Sequence, residues 1–220
     1  MNKKIMGLML VLVICIIAFI SYYFLKNRAN TNSANSNNTN TSANPNEDTN
    51  EKLNNQNNNT DKKVLVVYFS ATNNTKNVAE KLANNLNGDI FEIEPVEEYT
   101  NEDLDWTNNN SRVSKEHEDE TLRNIALKTN TPFNWDSYDT ILIGYPIWFG
   151  IAAWPVDTFV KENDFTGKTI YPFATSASSG LGQSDKLLES ISNGGTWQEG
   201  HRFKSIPTDN DIKLFTDSIK

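Results

Sequence analysis

The stretch YFSATNNT, residues 68–75, places four hydroxyls and two side-chain amides in eight positions, without a lysine or arginine. Such groups are hydrogen-bond donors rather than strong acids or bases, so they suit a ligand rich in acceptor oxygens. Directly after them, TKNVAEKLANNLNG (75–88) repeats Val78, Leu82 and Leu86 every fourth residue, with Ala79 and Ala83 beside them. That spacing predicts a helix with one apolar face and a stop at Gly88. The polar loop then wraps a helix start near Thr75, where backbone N–H groups lack internal partners and the dipole is positive. A phosphate fits there without a cationic side chain. Ser70, Thr72 and Thr75 add hydroxyl donors; Asn73 and Asn74 add amides and tolerate left-handed backbone angles. A turn that only caps the helix is the plainer alternative, since small polar residues are ordinary turn formers.

Two further segments carry unusual residues for loops. In YPIWFG (145–150), Pro146, Ile147, Trp148, Phe149 and Gly150 follow an apolar run, and aromatics at such a rim suit a flat apolar ligand. Local packing against the next helix is the alternative for Trp148 and Phe149. In TSASSGLG (175–182), Thr175, Ser176, Ala177, Ser178, Ser179, Gly180 and Gly182 are small enough for backbone to approach a ligand closely. A phosphate cradle, an aromatic wall and a small-residue clamp together describe flavin mononucleotide, FMN.

The elements that must position these loops are legible from pattern. KVLVVYF (63–69), YDTILIGYP (138–146) and KTIYPFAT (168–175) are near-continuous apolar runs, as expected of parallel strands covered on both faces. DIFEIEP (89–95) alternates and ends in proline, which predicts an edge strand, and HRFKSI (201–206) predicts a last short strand. Helices are expected over 154–163, with Pro155 in the first turn, over 182–192, capped by Ser184, and over 209–219. Strands alternating with helices imply an α/β domain: a doubly wound parallel sheet with right-handed crossovers. Ligands of such sheets bind beyond the carboxyl ends of the strands, where all three loops fall. The link 96–137 is expected to hold one charged helix over 111–127, its acidic run Glu116–Glu120 facing solvent.

Composition divides the chain of 220 residues into three parts. Residues 5–25 carry no charge and are long enough as a helix to cross a bilayer, so 1–28 is expected to be a membrane anchor. Its position favours a signal anchor of a bacterial cell membrane, with the domain on the extracytoplasmic side. Residues 29–61, dominated by Asn, Thr and Ser, are expected to form a flexible linker. Residues 62–220 form one domain with 15 Lys and Arg against 24 Asp and Glu. That acidity disfavours nucleic acid as a partner. The domain has no cysteine, and His117 and His201 show no metal-ligand spacing, so no metal site is expected and both histidines are expected in solvent.

The stretches VVYFSATNNTKNVAE, YDTILIGYPIWFG and GKTIYPFATSASSGLGQS resemble the flavodoxin family of bacterial FMN-binding proteins over residues 62 to about 206. The resemblance implies a five-stranded sheet of order 2-1-3-4-5 with the flavin at the switch point, a case the general rule for such sheets names. It also implies that Ser70, Thr72, Asn74 and Thr75 hold the phosphate, that Pro146 to Gly150 border the ring with Trp148 stacked on it, and that Thr175 to Gly182 close the far side. Asn73 stands where the family usually has glycine. The third loop has no aromatic, which leaves one ring face open. The implied function is electron transfer between redox partners by a membrane-tethered protein. Two alternatives remain: an FMN-dependent reductase passing hydride from NAD(P)H to a quinone-type acceptor, and an anchored binding module that has lost the flavin. No catalytic residue is assigned.

Overall fold

The structure, a computed structural model, describes residues 63–219. The expected anchor and linker lie outside the described residues. Strands β1 (Val64–Tyr68), β2 (Asp89–Glu92), β3 (Thr140–Trp148) and β5 (Thr169–Ser176) run parallel, with β1 between β2 and β3, and β5 beyond β3. The fifth place beside β5 is shared by β6 (Thr196–Trp197) and β7 (His201–Lys204), both parallel to it. The expected order 2-1-3-4-5 is therefore present with its last strand split. The split has a local cause: β6 pairs Thr169–Ile170 and β7 pairs Phe173–Ser176, so the gap lies opposite Tyr171 and Pro172. Proline has no N–H to give a ladder, and a neighbouring strand is best interrupted there.

Alternate residues of the buried strands supply two cores. Leu65, Val67, Ile141, Ile143 and Tyr145 face one side, with Phe159 of α3 (Pro155–Glu162) and Leu188 of α4 (Ser184–Ile191). Val64, Val66, Tyr68, Leu142 and Phe173 face the other, with Val78 and Leu82 of α1 (Asn74–Leu86) and Ile212 and Phe215 of α5 (Asp209–Ile219). Each fully buried Val or Leu contributes roughly 1.5–3 kcal/mol, which is why strands with no polar face sit in the centre. Gly144 is required in β3: a Cβ there would lie 2.1 Å from the Phe173 ring.

Several expectations change in detail. Helix α1 ends through Asn87, left-handed at φ 50°, with Gly88 N–H returning to the Ala83 carbonyl, so the stop falls one residue before the glycine. Ser184 is not a cap. It is buried, donates to the Leu181 carbonyl at 2.6 Å and accepts from the Tyr145 hydroxyl at 3.3 Å. The link holds the short helix α2 (Arg112–Glu118) and two 3-10 turns, at Glu120–Arg123 and Trp135–Ser137. Its base is closed by Val96 N–H to the Ala126 carbonyl and Lys128 N–H to the Glu94 carbonyl, both 2.8 Å.

Asp157 on α3 gives a pH prediction. Burial raises its carboxyl from 3.8 to about 6, opposed by Lys161 and Arg123. A folded-state value above the unfolded one means that the stabilisation is complete below about pH 4 and is lost as pH rises through 6. Asp157→Asn is therefore expected to raise the melting temperature at pH 7 and to leave it nearly unchanged at pH 4. Thermal melts at the two pH values read the difference.

Candidate functional site

The loop after β1 has the geometry its residues predict. Asn73 is left-handed, with φ 62° and ψ −2°, and α1 begins at Asn74. Among the described residues, the backbone N–H groups of residues 71–75 find no acceptor, as expected of a loop wrapped on a helix start. The Ser70 Oγ is buried and has no hydrogen-bond partner. A buried hydroxyl without a protein partner is costly unless water or a ligand reaches it, and such a group marks strain, a water position or a ligand position. The Asn74 amide donates to Thr72 Oγ1 at 3.1 Å, shaping the loop. Thr75 has a partner inside the fold. Its hydroxyl is buried against Thr175, 2.8 Å away, and ties the helix start to the end of β5.

The second loop is a hairpin that sequence reasoning did not foresee. β3 continues through Trp148, turns at Phe149 and Gly150, and returns as β4 (Ile151–Ala152), with Trp148 opposite Ile151. Both turn residues have positive φ, 46° and 84°, as a type I′ turn requires. For Phe149 that conformation is strained, and strain of this kind gathers at binding sites. The Phe149 ring is held by stacking on His117, with centroids 3.9 Å apart and planes 8° from parallel. Trp148 packs edge-on against Phe69, Tyr99 and Trp154, at 5.4, 4.9 and 5.3 Å. Neither histidine is merely solvated: His117 stacks here, and His201 stacks on Phe215, where burial lowers its pKa.

The third loop is pinned rather than loose. Arg202 of β7 donates to Ser176 Oγ (3.0 Å), to the Ser176 carbonyl (2.8 Å) and to the Ala177 carbonyl (3.0 Å), and Ser176 Oγ donates to the Ser179 carbonyl. Gly182 is left-handed at φ 59°, and a Cβ there would meet the Gly150 carbonyl oxygen at 2.6 Å. The second and third loops are therefore in backbone contact. Gly182→Ala is expected to push them apart and to cost about 1–2 kcal/mol, from the left-handed conformation and the clash. Urea unfolding against wild type measures it, and an unchanged midpoint would contradict the contact.

A cleft of about 400 Å³ opens between these loops. Ala71 and Thr72 line it from the first loop, Pro146 through Gly150 from the second, and Ser179 from the third. Ala177, Ser178 and Gly180 are exposed and do not line it. Leu104, Trp106 and Val113 of the link do, and they were not foreseen. A tryptophan set among Asp and Asn in LDWTNNN was the available signal. The acidic run is also not uniformly solvated. Glu116 is 4% exposed and accepts from Trp154 Nε1 (2.6 Å), the Tyr99 hydroxyl (2.8 Å) and Arg112 Nε (2.7 Å). Burial, and then the bond to Glu116, push the Tyr99 phenol well above its ordinary pKa, so it is a fixed donor.

The sequence profile described as Flavodoxin matches residues 63–219. No curated protein matches the chain. Among solved structures, a candidate flavoprotein from Bacteroides eggerthii DSM 20697 is 39% identical, with 71% of this chain and 97% of that one covered and a TM-score of 0.65. A second from Bacteroides uniformis ATCC 8492 is 38% identical, with 71% and 98% covered and a TM-score of 0.66. The profile spans the described domain, and the domain covers both relatives almost end to end; on these grounds the chain belongs to the flavodoxin family.

Proposed function

We propose that the protein binds FMN in this cleft and carries electrons between redox partners. The observation that carries the reading is the loop at the start of α1, which holds the buried, unpartnered Ser70 Oγ and the left-handed Asn73 and lines the aromatic cleft with Ala71 and Thr72. Ser70 Oγ and the free amides of the loop would hold the phosphate, and Pro146 to Gly150 would border the ring. Asn73 supplies the left-handed position that the family usually gives to glycine, so its substitution does not count against binding. When bound, the flavin supplies the redox chemistry. The chain's own residues hold it, exclude water from one side and set the charge around it. The net acidity of the domain disfavours added negative charge in the site and favours basic partner surfaces, in a salt-dependent way. The charge-free segment 5–25 would tether this carrier to a membrane.

The test is calorimetry of the colourless protein with FMN and with riboflavin, which lacks the phosphate. Tight FMN binding with weaker riboflavin binding is expected; no heat with FMN would overturn the reading and favour a module without flavin. Loaded protein is then mixed with NADH or NADPH and a quinone. Slow turnover supports the carrier, and rapid turnover supports the reductase.

A further inference from the structure

We propose that Trp106 is the second wall of the flavin cleft: the link between β2 and β3, not the third loop, covers the ring face that the strand-end loops leave bare. The inference rests on the FMN reading above. The third loop gives the cleft only Ser179, whereas the link gives it Leu104, Trp106 and Val113. The Trp106 indole is 71% exposed although it borders an apolar cleft with Trp148 and Phe149. An indole left in water at the mouth of such a cleft gains most by stacking on a flat ligand.

The backbone under that indole is fixed. Trp106 N–H donates to the Leu104 carbonyl at 2.8 Å, and Asp105 Oδ1 accepts from the Thr107 N–H at 3.1 Å and from its hydroxyl at 2.6 Å. Asp103 accepts from the Thr100 N–H and hydroxyl, both at 2.9 Å, and its carbonyl accepts from the Val113 N–H at 3.0 Å. Both ends of the segment meet on Glu116, which takes bonds from Tyr99 before it, Arg112 after it, and Trp154 beyond the hairpin. The wall is thereby clamped to the hairpin that carries Trp148. A ring walled on both faces exchanges electrons at its exposed edge and is screened from hydride donors, which must lie against a face.

Trp106→Ala and Trp106→Phe separate this from a structural role. FMN affinity is read by quenching of flavin fluorescence. About tenfold weaker binding is expected for Trp106→Ala, the loss of one stacked aromatic, with Trp106→Phe close to wild type. Face access is read with N-benzyl-1,4-dihydronicotinamide, which gives the bound flavin a hydride, two electrons and one proton, and leaves as the pyridinium. Its rate is expected to rise about tenfold in Trp106→Ala, since the stacked indole no longer competes for the face. Melting of the apo-protein is expected to stay at the wild-type value, because the side chain is largely exposed. Unchanged affinity, or weaker affinity without faster hydride transfer, overturns the proposal. FMN failing to bind the wild-type protein is a separate result that overturns the FMN reading itself.

Discussion

Replacing Glu116 with alanine is expected to destabilise the domain by about 3–5 kcal/mol, the usual cost of removing one partner from a buried charge pair. The carboxylate is nearly inaccessible and holds three donors: the fully buried Trp154 indole, which has no water to turn to, and the partly buried Tyr99 hydroxyl and Arg112 guanidinium. Arg112 would be left half-buried over the Tyr99 ring, 3.9 Å from its centroid, without its counter-charge. Arg123 adds to the same joint by donating to the Glu116 and His117 carbonyls at 2.7 and 2.6 Å, so movement of α2 also disturbs the His117–Phe149 stack. The expected reading is a fall in melting temperature of roughly 10 °C, with a proportional drop in the urea midpoint. Glu116→Gln, which keeps an acceptor and the shape but loses the charge, should fall between. A loss under about 1 kcal/mol would show that the network is dispensable, as exposed ion pairs commonly are.

Why that residue reads as solvent-facing in the sequence is physically plain. Glu116 opens the acidic stretch that ends at Glu120, and local pattern assigns such a run to a solvated face. Its partners Tyr99 and Trp154 stand 17 and 38 positions away, and nothing local marks them. The central strands were legible for the opposite reason, because burial on both faces writes itself into consecutive residues, as in VLVVY. The left-handed Asn73 was legible because few residue types tolerate that conformation. The hairpin at Phe149–Gly150 was hidden because its turn wants Asn-Gly or Asp-Gly and carries a strained Phe-Gly instead, paid for by the stack on His117. Trp106 belongs with Glu116: its residue type was visible, but its place in the cleft depends on how the link closes at 94–96 and 126–128.

Ser70→Ala should move stability and binding in opposite directions, a result that a purely structural serine does not give. In the protein without ligand, the Oγ is buried and unpartnered, and such a group costs on the order of 1–3 kcal/mol. Removing it relieves that cost, so the apo-protein should melt at the wild-type temperature or a few degrees above it. With a phosphate at the start of α1, the same hydroxyl becomes a donor to a charged oxygen, an interaction of about 1.5–3 kcal/mol, or roughly ten- to a hundredfold in affinity. FMN binding should weaken by that factor, while riboflavin, with no phosphate to lose, should bind as it does to wild type. Thr75→Val is the contrasting variant. Its hydroxyl is bonded to Thr175 at 2.8 Å, so its loss leaves Thr175 unpaired and should lower the apo-protein's stability as well as its affinity. If Ser70→Ala weakened FMN and riboflavin equally, the hydroxyl would not be reading the phosphate. If it lowered the apo melting temperature like Thr75→Val, the Oγ would have a structural partner after all. Stability set aside at one buried oxygen and recovered only on binding an anion is the physical form that pre-organisation takes in this loop.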